Sequence, residues 1–138
     1  MSKYRLEWED EEDFIAIGIS SHQKDYRIAW ELNKALHCEL SRLNDYIGMV
    51  GKKNSSHAYF RWDEAGDHYS FFLIGNRGSE SYLLPEIKQA DYVFIIQGLT
   101  EALDLDKIKA DIKNCKTVLT AFEVDRNMAK SIQNIIIE

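Results

Sequence analysis

Proline is nearly missing from this chain of 138 residues; it occurs once, at Pro85. Cysteine occurs twice, at Cys38 and Cys115, far apart and in no C-x-x-C pair. That scarcity excludes a disulfide scaffold and suits a reducing cytosol. His37, His57 and His68 stand at no zinc-ligand spacing from either thiol, so no metal and no cofactor are expected. Long apolar runs are also absent. None reaches the roughly 18 residues of a membrane span, and "MSKYRLEWEDEEDF" has no apolar core of signal-peptide length, so no membrane association is expected. Positive charge is short as well. Lys and Arg number 17 against 23 Asp and Glu, a net charge of −6, which disfavours nucleic acid as a partner. Nucleotide-binding glycines are missing too: there is no G-x-G-x-x-G. "GKKNSS" fails as a phosphate loop because the earlier glycine would fall at Tyr46.

What remains is an ordinary globular composition, 45% hydrophobic and 29% charged. The length suits one domain over 1–138, which can bury roughly two thirds of its unfolded surface without a staple. The acid is unevenly spread: six of the seven residues in "EWEDEED" (Glu7 to Asp13) are carboxylates. A calcium loop needs spaced oxygens and a glycine at its sharp turn. The run has neither and reads as a solvated hairpin connection. It would join a half-buried strand, with Tyr4, Leu6 and Trp8 alternating against charge, to the apolar strand "FIAIGIS" (Phe14 to Ser20).

From Ser21 the period becomes helical through about Glu39. Tyr26, Ile28, Ala29, Trp30, Leu32, Leu36 and His37 give a wide apolar stripe, and Ser20 with Gln23 has capping-box spacing. Leu40 to Ser56 is read as a short strand or irregular crossing that ends in a "GKKNSS" loop. The clearest hairpin pairs "HAYFRW" with "HYSFFLI". Turning at Ala65-Gly66 sets Trp62 opposite Tyr69 and Phe60 opposite Phe71 on one face, with Arg61 and Ser70 on the other. These aromatics read as core rather than as base-stacking platforms. "SESYLL" is expected to pair back as a further strand. Pro85 then stops it and opens one turn, with Ile87 tucked inward and Glu86 at the favourable helix end. "YVFIIQ" follows as a central strand covered on both faces. A helix over about Asp104 to Asn114, capped by Asp104, buries Leu105, Ile108 and Ile112. "KTVLTAFEV" is a strand, and the tail is read as a short turn followed by a strand in "NIIIE". The sum is an α+β fold: a largely antiparallel sheet of about six or seven strands with two main helices.

Catalytic motifs do not assemble. "GISSHQKDYR" has a strand running into a helix with exposed serines, but a nucleophile elbow needs a second glycine where His22 stands. No catalytic residue is assigned. What this stretch does offer is an anion site, with Ser20, Ser21, His22, Lys24 and Arg27 around unpaired helix-start amides.

"LPEIKQADY" resembles the signature of the IPExxxVDY family of small proteins. Pro85, Glu86, Asp91 and Tyr92 stand where the signature has them, while Leu84 replaces isoleucine and Ala90 replaces valine. "GISSHQKDYRIAWELN" is similar to the N-terminal half of such proteins. The resemblance implies one small domain and brings no activity, cofactor or catalytic residue with it. The functional expectation is a non-catalytic cytoplasmic interaction or regulatory module whose partner is a protein, a second copy of the chain included. The alternative is a small-ligand or anion-binding domain using Ser20 to Arg27, and an unrecognised enzyme stands third.

Overall fold

The computed structural model describes residues 14–50, 53–66, 68–98, 103–135 and 137. The expected strand through Tyr4, Leu6 and Trp8, and the acidic hairpin after it, lie outside the described residues. The elements are β1 (Phe14–Ser20), α1 (Asp25–Leu36), β2 (Ser41–Arg42), β3 (Tyr46–Val50), β4 (Lys53–His57), β5 (Tyr59–Asp63), β6 (Tyr69–Gly75), β7 (Tyr92–Gly98), α2 (Leu105–Lys113) and β8 (Thr120–Val124). Two short 3-10 turns cover Pro85–Ile87 and Lys130–Asn134. Six strands form one sheet in the order β2-β5-β6-β7-β1-β8, and β3 with β4 form a separate hairpin. Every pairing is antiparallel. The α+β class expected from the sequence, with a mainly antiparallel sheet and two helices, is the one observed.

The strands alternate so that each face of the sheet is apolar. On one face Ile17, Ile19, Phe60, Phe71, Leu73, Phe94 and Ile96 pack under both helices, against Ile28, Leu32, Ile108 and Ile112. On the other, Ala16, Phe72, Ile74, Val93 and Ile95 pack under Leu84, Ile87, Ala129, Ile132 and Ile135. Helices therefore cover one face, and the two 3-10 turns and the tail cover the other. β7 lies between β6 and β1 with Tyr92, Val93, Phe94, Ile95 and Ile96 all buried, as expected of a strand covered on both sides. Burial of each such side chain stabilises by about 1.5–3 kcal/mol before entropy is counted.

Several local expectations are corrected. The hairpin register is slipped by two residues: Trp62 faces Phe71 and Phe60 faces Leu73. A slip of two preserves the faces, because the side-chain period of a strand is two. Trp62, Phe60 and Phe71 remain together, and Arg61 stays on the side of Ser70. The "GKKNSS" loop is instead strand β4 from Lys53 onward, paired with β3. "SESYLL" makes one bridge, Arg77 with Tyr82, in place of a strand. Asn76 explains why. Its fully buried amide accepts from Leu84 N (2.7 Å) and donates to the carbonyls of Ala90 (2.8 Å) and Ile87 (3.2 Å). One side chain thus takes the bonds a strand ladder would otherwise supply. The loop also lies against β4. A Cβ at Gly78 would strike Ser55 Oγ and the His57 ring, so the close approach requires glycine there. In the tail, Lys130–Asn134 is a 3-10 turn and no strand forms among the described residues that follow, although Ile135 and Ile137 are buried as a strand would have buried them.

Pro85 opens its turn at the first position and Ile87 is buried, as expected. Glu86 does more than sit at a helix end: its Oε2 accepts from Ser131 N (3.1 Å) and Ser131 Oγ (2.8 Å), tying the two 3-10 turns together. Asp104 caps α2 by accepting from Lys107 N at 3.1 Å.

Candidate functional site

Two concavities flank α1. The first is a shallow cleft of about 540 Å³ at the Ser20 end of β1, where the loop into α1 meets the start of β7. It gathers Ser21, His22 and Lys24 of the expected anion site with Asp91 and Tyr92 of the family signature. Arg77 joins them from the β6–β7 loop, a neighbour the sequence offered no way to find.

The hydrogen bonds of this cleft turn inward. Asp91 Oδ2 accepts from Ser21 N at 2.8 Å, so a carboxylate of the chain itself holds that amide. Ser21 Oγ donates to Thr117 O (2.6 Å) and accepts from Gln23 N (3.1 Å). Ser20 Oγ donates to Gln89 O at 2.6 Å. The Tyr92 hydroxyl donates to Gln23 O at 2.5 Å. Burial pushes the Tyr92 pKa up to about 12, reinforced by the negative charges of Asp25 and Asp91, so this hydroxyl is a donor throughout the physiological range. Asp91 and Tyr92 therefore clamp the β1–α1 loop. The expected capping box does not form: α1 begins at Asp25, with Lys24 at its N-cap and no side-chain cap. Arg27 is separated from the others. It lies in the first turn of α1, 3.6 Å from Glu31, and lines the second concavity.

That second concavity is a groove of about 600 Å³ between α1 and α2, lined by Arg27, Trp30, Glu31 and Lys34 on one side and Asp111, Cys115 and Lys116 on the other. Here the sequence reading of α1 is corrected. Tyr26 and Trp30 do not belong to the buried stripe; they are 65% and 49% exposed. The signal was in the spacing. At roughly 100° per residue, Ile28, Ala29 and Leu32 define one face, and Tyr26 and Trp30 fall opposite it. Trp30 is bracketed by cations, with Lys34 Nζ 4.3 Å and the Arg27 guanidinium 5.2 Å from its ring centre.

His57 and the two thiols are buried in the fold. His57 is buried; its Nδ1 donates to Gly75 O at 2.7 Å, and its Nε2 has no partner among the described residues. Burial lowers its pKa, against the Gly75 bond and the charge of Asp45. Cys38 and Cys115 are free and buried. Among the described residues no three His, Cys, Asp or Glu side chains gather closely enough to hold a metal ion. No described helix is long and apolar enough to cross a membrane.

No family model matches the chain, and no curated protein matches it.

Proposed function

We propose that the protein is a non-catalytic cytoplasmic interaction module that presents the outer face of α1 to a protein partner. The observation that carries this reading is the exposed Tyr26–Trp30 pair, one helical turn apart on the side of α1 that faces away from the core. Tryptophan is costly to expose and is enriched among the residues that dominate binding energy at interfaces. The polar groups of the neighbouring cleft support the same reading, because Ser21, Asp91 and Tyr92 are engaged in holding the loop. Membership in the IPExxxVDY family belongs to this proposal. Its support is that Pro85, Glu86, Asp91 and Tyr92 each have an architectural task here.

The test compares proteins retained from native cytosol by the wild-type chain and by Trp30→Ser, with thermal melts to establish that both are folded. A partner kept by wild type and lost by the variant supports the module. Identical retention by the two folded proteins sinks it.

A second reading places an anion in the cleft. It rests on Lys24 and Arg77, which form no salt bridge among the described residues. A phosphate titration that moves the amides of 20–27, and fails to do so in Arg77→Ala, would establish it. Shifts scattered over all basic residues would dismiss it.

A further inference from the structure

We propose that the groove between α1 and α2 binds an acidic segment of a partner protein, anchored by an apolar side chain laid on Trp30. This rests on the interaction-module reading and gives its partner a chemistry. The argument is charge complementarity. Each carboxylate of the groove is already matched: Glu31 by Arg27 at 3.6 Å, and Asp111 by Lys107 at 2.8 Å. Lys34 on α1 and Lys116 in the turn that follows α2 have no carboxylate partner among the described residues, and both line the groove. Two unmatched cations thus line one concave surface in a chain of net charge −6. The local field opposes the global one, which steers acid to this place while the rest of the surface repels it.

Trp30 supplies the second half of recognition. It stands at the groove wall between Arg27 and Lys34, half exposed, its ring already in contact with both cations. An aliphatic or aromatic side chain placed there finds apolar area, and carboxylates on either side of it reach Lys34 and Lys116. A long polyanion such as nucleic acid would meet the same lysines, but it would also meet the acid of the remaining surface.

The experiment titrates the isotope-labelled full chain with a short synthetic peptide of alternating glutamate and leucine. The Trp30 indole resonance, assigned through Trp30→Phe, is the readout. The expected result is a saturable shift, weakened roughly tenfold by Lys34→Glu and again by Lys116→Glu, and weakened further by salt. Melts show that both charge variants remain folded. Four results overturn the proposal: no shift; an equal shift with the lysine-leucine counterpart, which would make the contact purely apolar; a tighter response to a single-stranded oligonucleotide; or a shift that follows protein concentration without peptide, which would put a second copy in the groove. If the peptide fails while Trp30→Ser still abolishes partner retention, the acidic chemistry is wrong and the module reading stands. If both fail, the module reading falls with it.

Discussion

Replacing Asn76 with alanine deletes one amide group and strands buried backbone on the loop between β6 and β7. The Leu84 carbonyl keeps the Ile87 amide, and the Ile87 carbonyl keeps the Ala90 amide. The Leu84 N–H and the Ala90 carbonyl lose the partners that Asn76 supplies at 2.7 and 2.8 Å. Leu84 and Ala90 are 0% and 1% exposed, so solvent offers little relief. Each orphaned group costs about 1–3 kcal/mol, which with the lost packing gives ~3–5 kcal/mol. For a domain of this size that lowers the melting temperature by roughly 10–20 °C. Asn76→Asp is the sharper probe. One oxygen still accepts from Leu84, but the other now meets the carbonyls of Ala90 and Ile87 where an NH₂ group stood. The ionised form is repelled there and the protonated form can donate. The folded state holds that proton more tightly than the unfolded state, so the variant gains stability as pH falls and loses it as pH rises. Differential scanning calorimetry of wild type and both variants across pH is the assay. An alanine variant within ~1 kcal/mol of wild type, or an aspartate variant whose deficit ignores pH, refutes the idea that this amide organises the loop.

Acid should destabilise the wild-type fold through His57. Because burial lowers its pKa in the folded chain, the unfolded chain takes the proton first; stability is full above about pH 6.5 and declines as pH drops through that value, and His57→Gln should flatten the decline in urea titrations. Glu86→Gln should cost a few tenths to about 1 kcal/mol in thermal melts, and its effect should shrink in a Ser131→Ala background, which removes the hydroxyl contact and leaves the one to the Ser131 amide. Both thiols should resist alkylation in the native protein and react fully in denaturant, since burial raises Cys115 and pushes Cys38 up to about 11; rapid native labelling of Cys38, read by mass, would contradict its environment.

The central strands were legible because they are short, near-continuous apolar runs. β7 shows Tyr92, Phe94 and Ile96 against Val93 and Ile95, and both sets are buried. The hairpin faces were legible from the alternation of Phe60 and Trp62 with Arg61, while the register was not: a shift of two leaves every apolar residue on its own side, so hydrophobicity does not distinguish the two pairings. β4 was missed because "KNSSH" has no apolar alternation; its buried Ser55 and His57 face the loop around Gly78. The shape of residues 76–91 was hidden because one amide sets it through contacts up to 14 positions away. As for the candidate site, composition and spacing brought Ser21, His22 and Lys24 together, and the signature singled out Asp91 and Tyr92. That these two groups meet in one cleft is a product of the pairing of β1 with β7, which local pattern does not encode.

β1 takes its place between β7 and β8, antiparallel to both, with α2 carrying the chain across from one to the other. The order of biosynthesis makes this consequential. Ser20 leaves the ribosome roughly 100 residues before Thr120, its partner on β8. At a synthesis rate of about 5–20 residues per second, "FIAIGIS" waits on the order of 5–20 s for both flanking strands. Until β7 is made, the most apolar part of the N-terminal region has neither of its flanking strands, and after that its edge toward β8 stays open. The β5–β6–β7 meander, whose pairings are local, is free to form before β8 has been made. The nascent chain therefore passes through a stage in which its first described strand carries an unpaired edge, and that edge is closed only when β8 arrives.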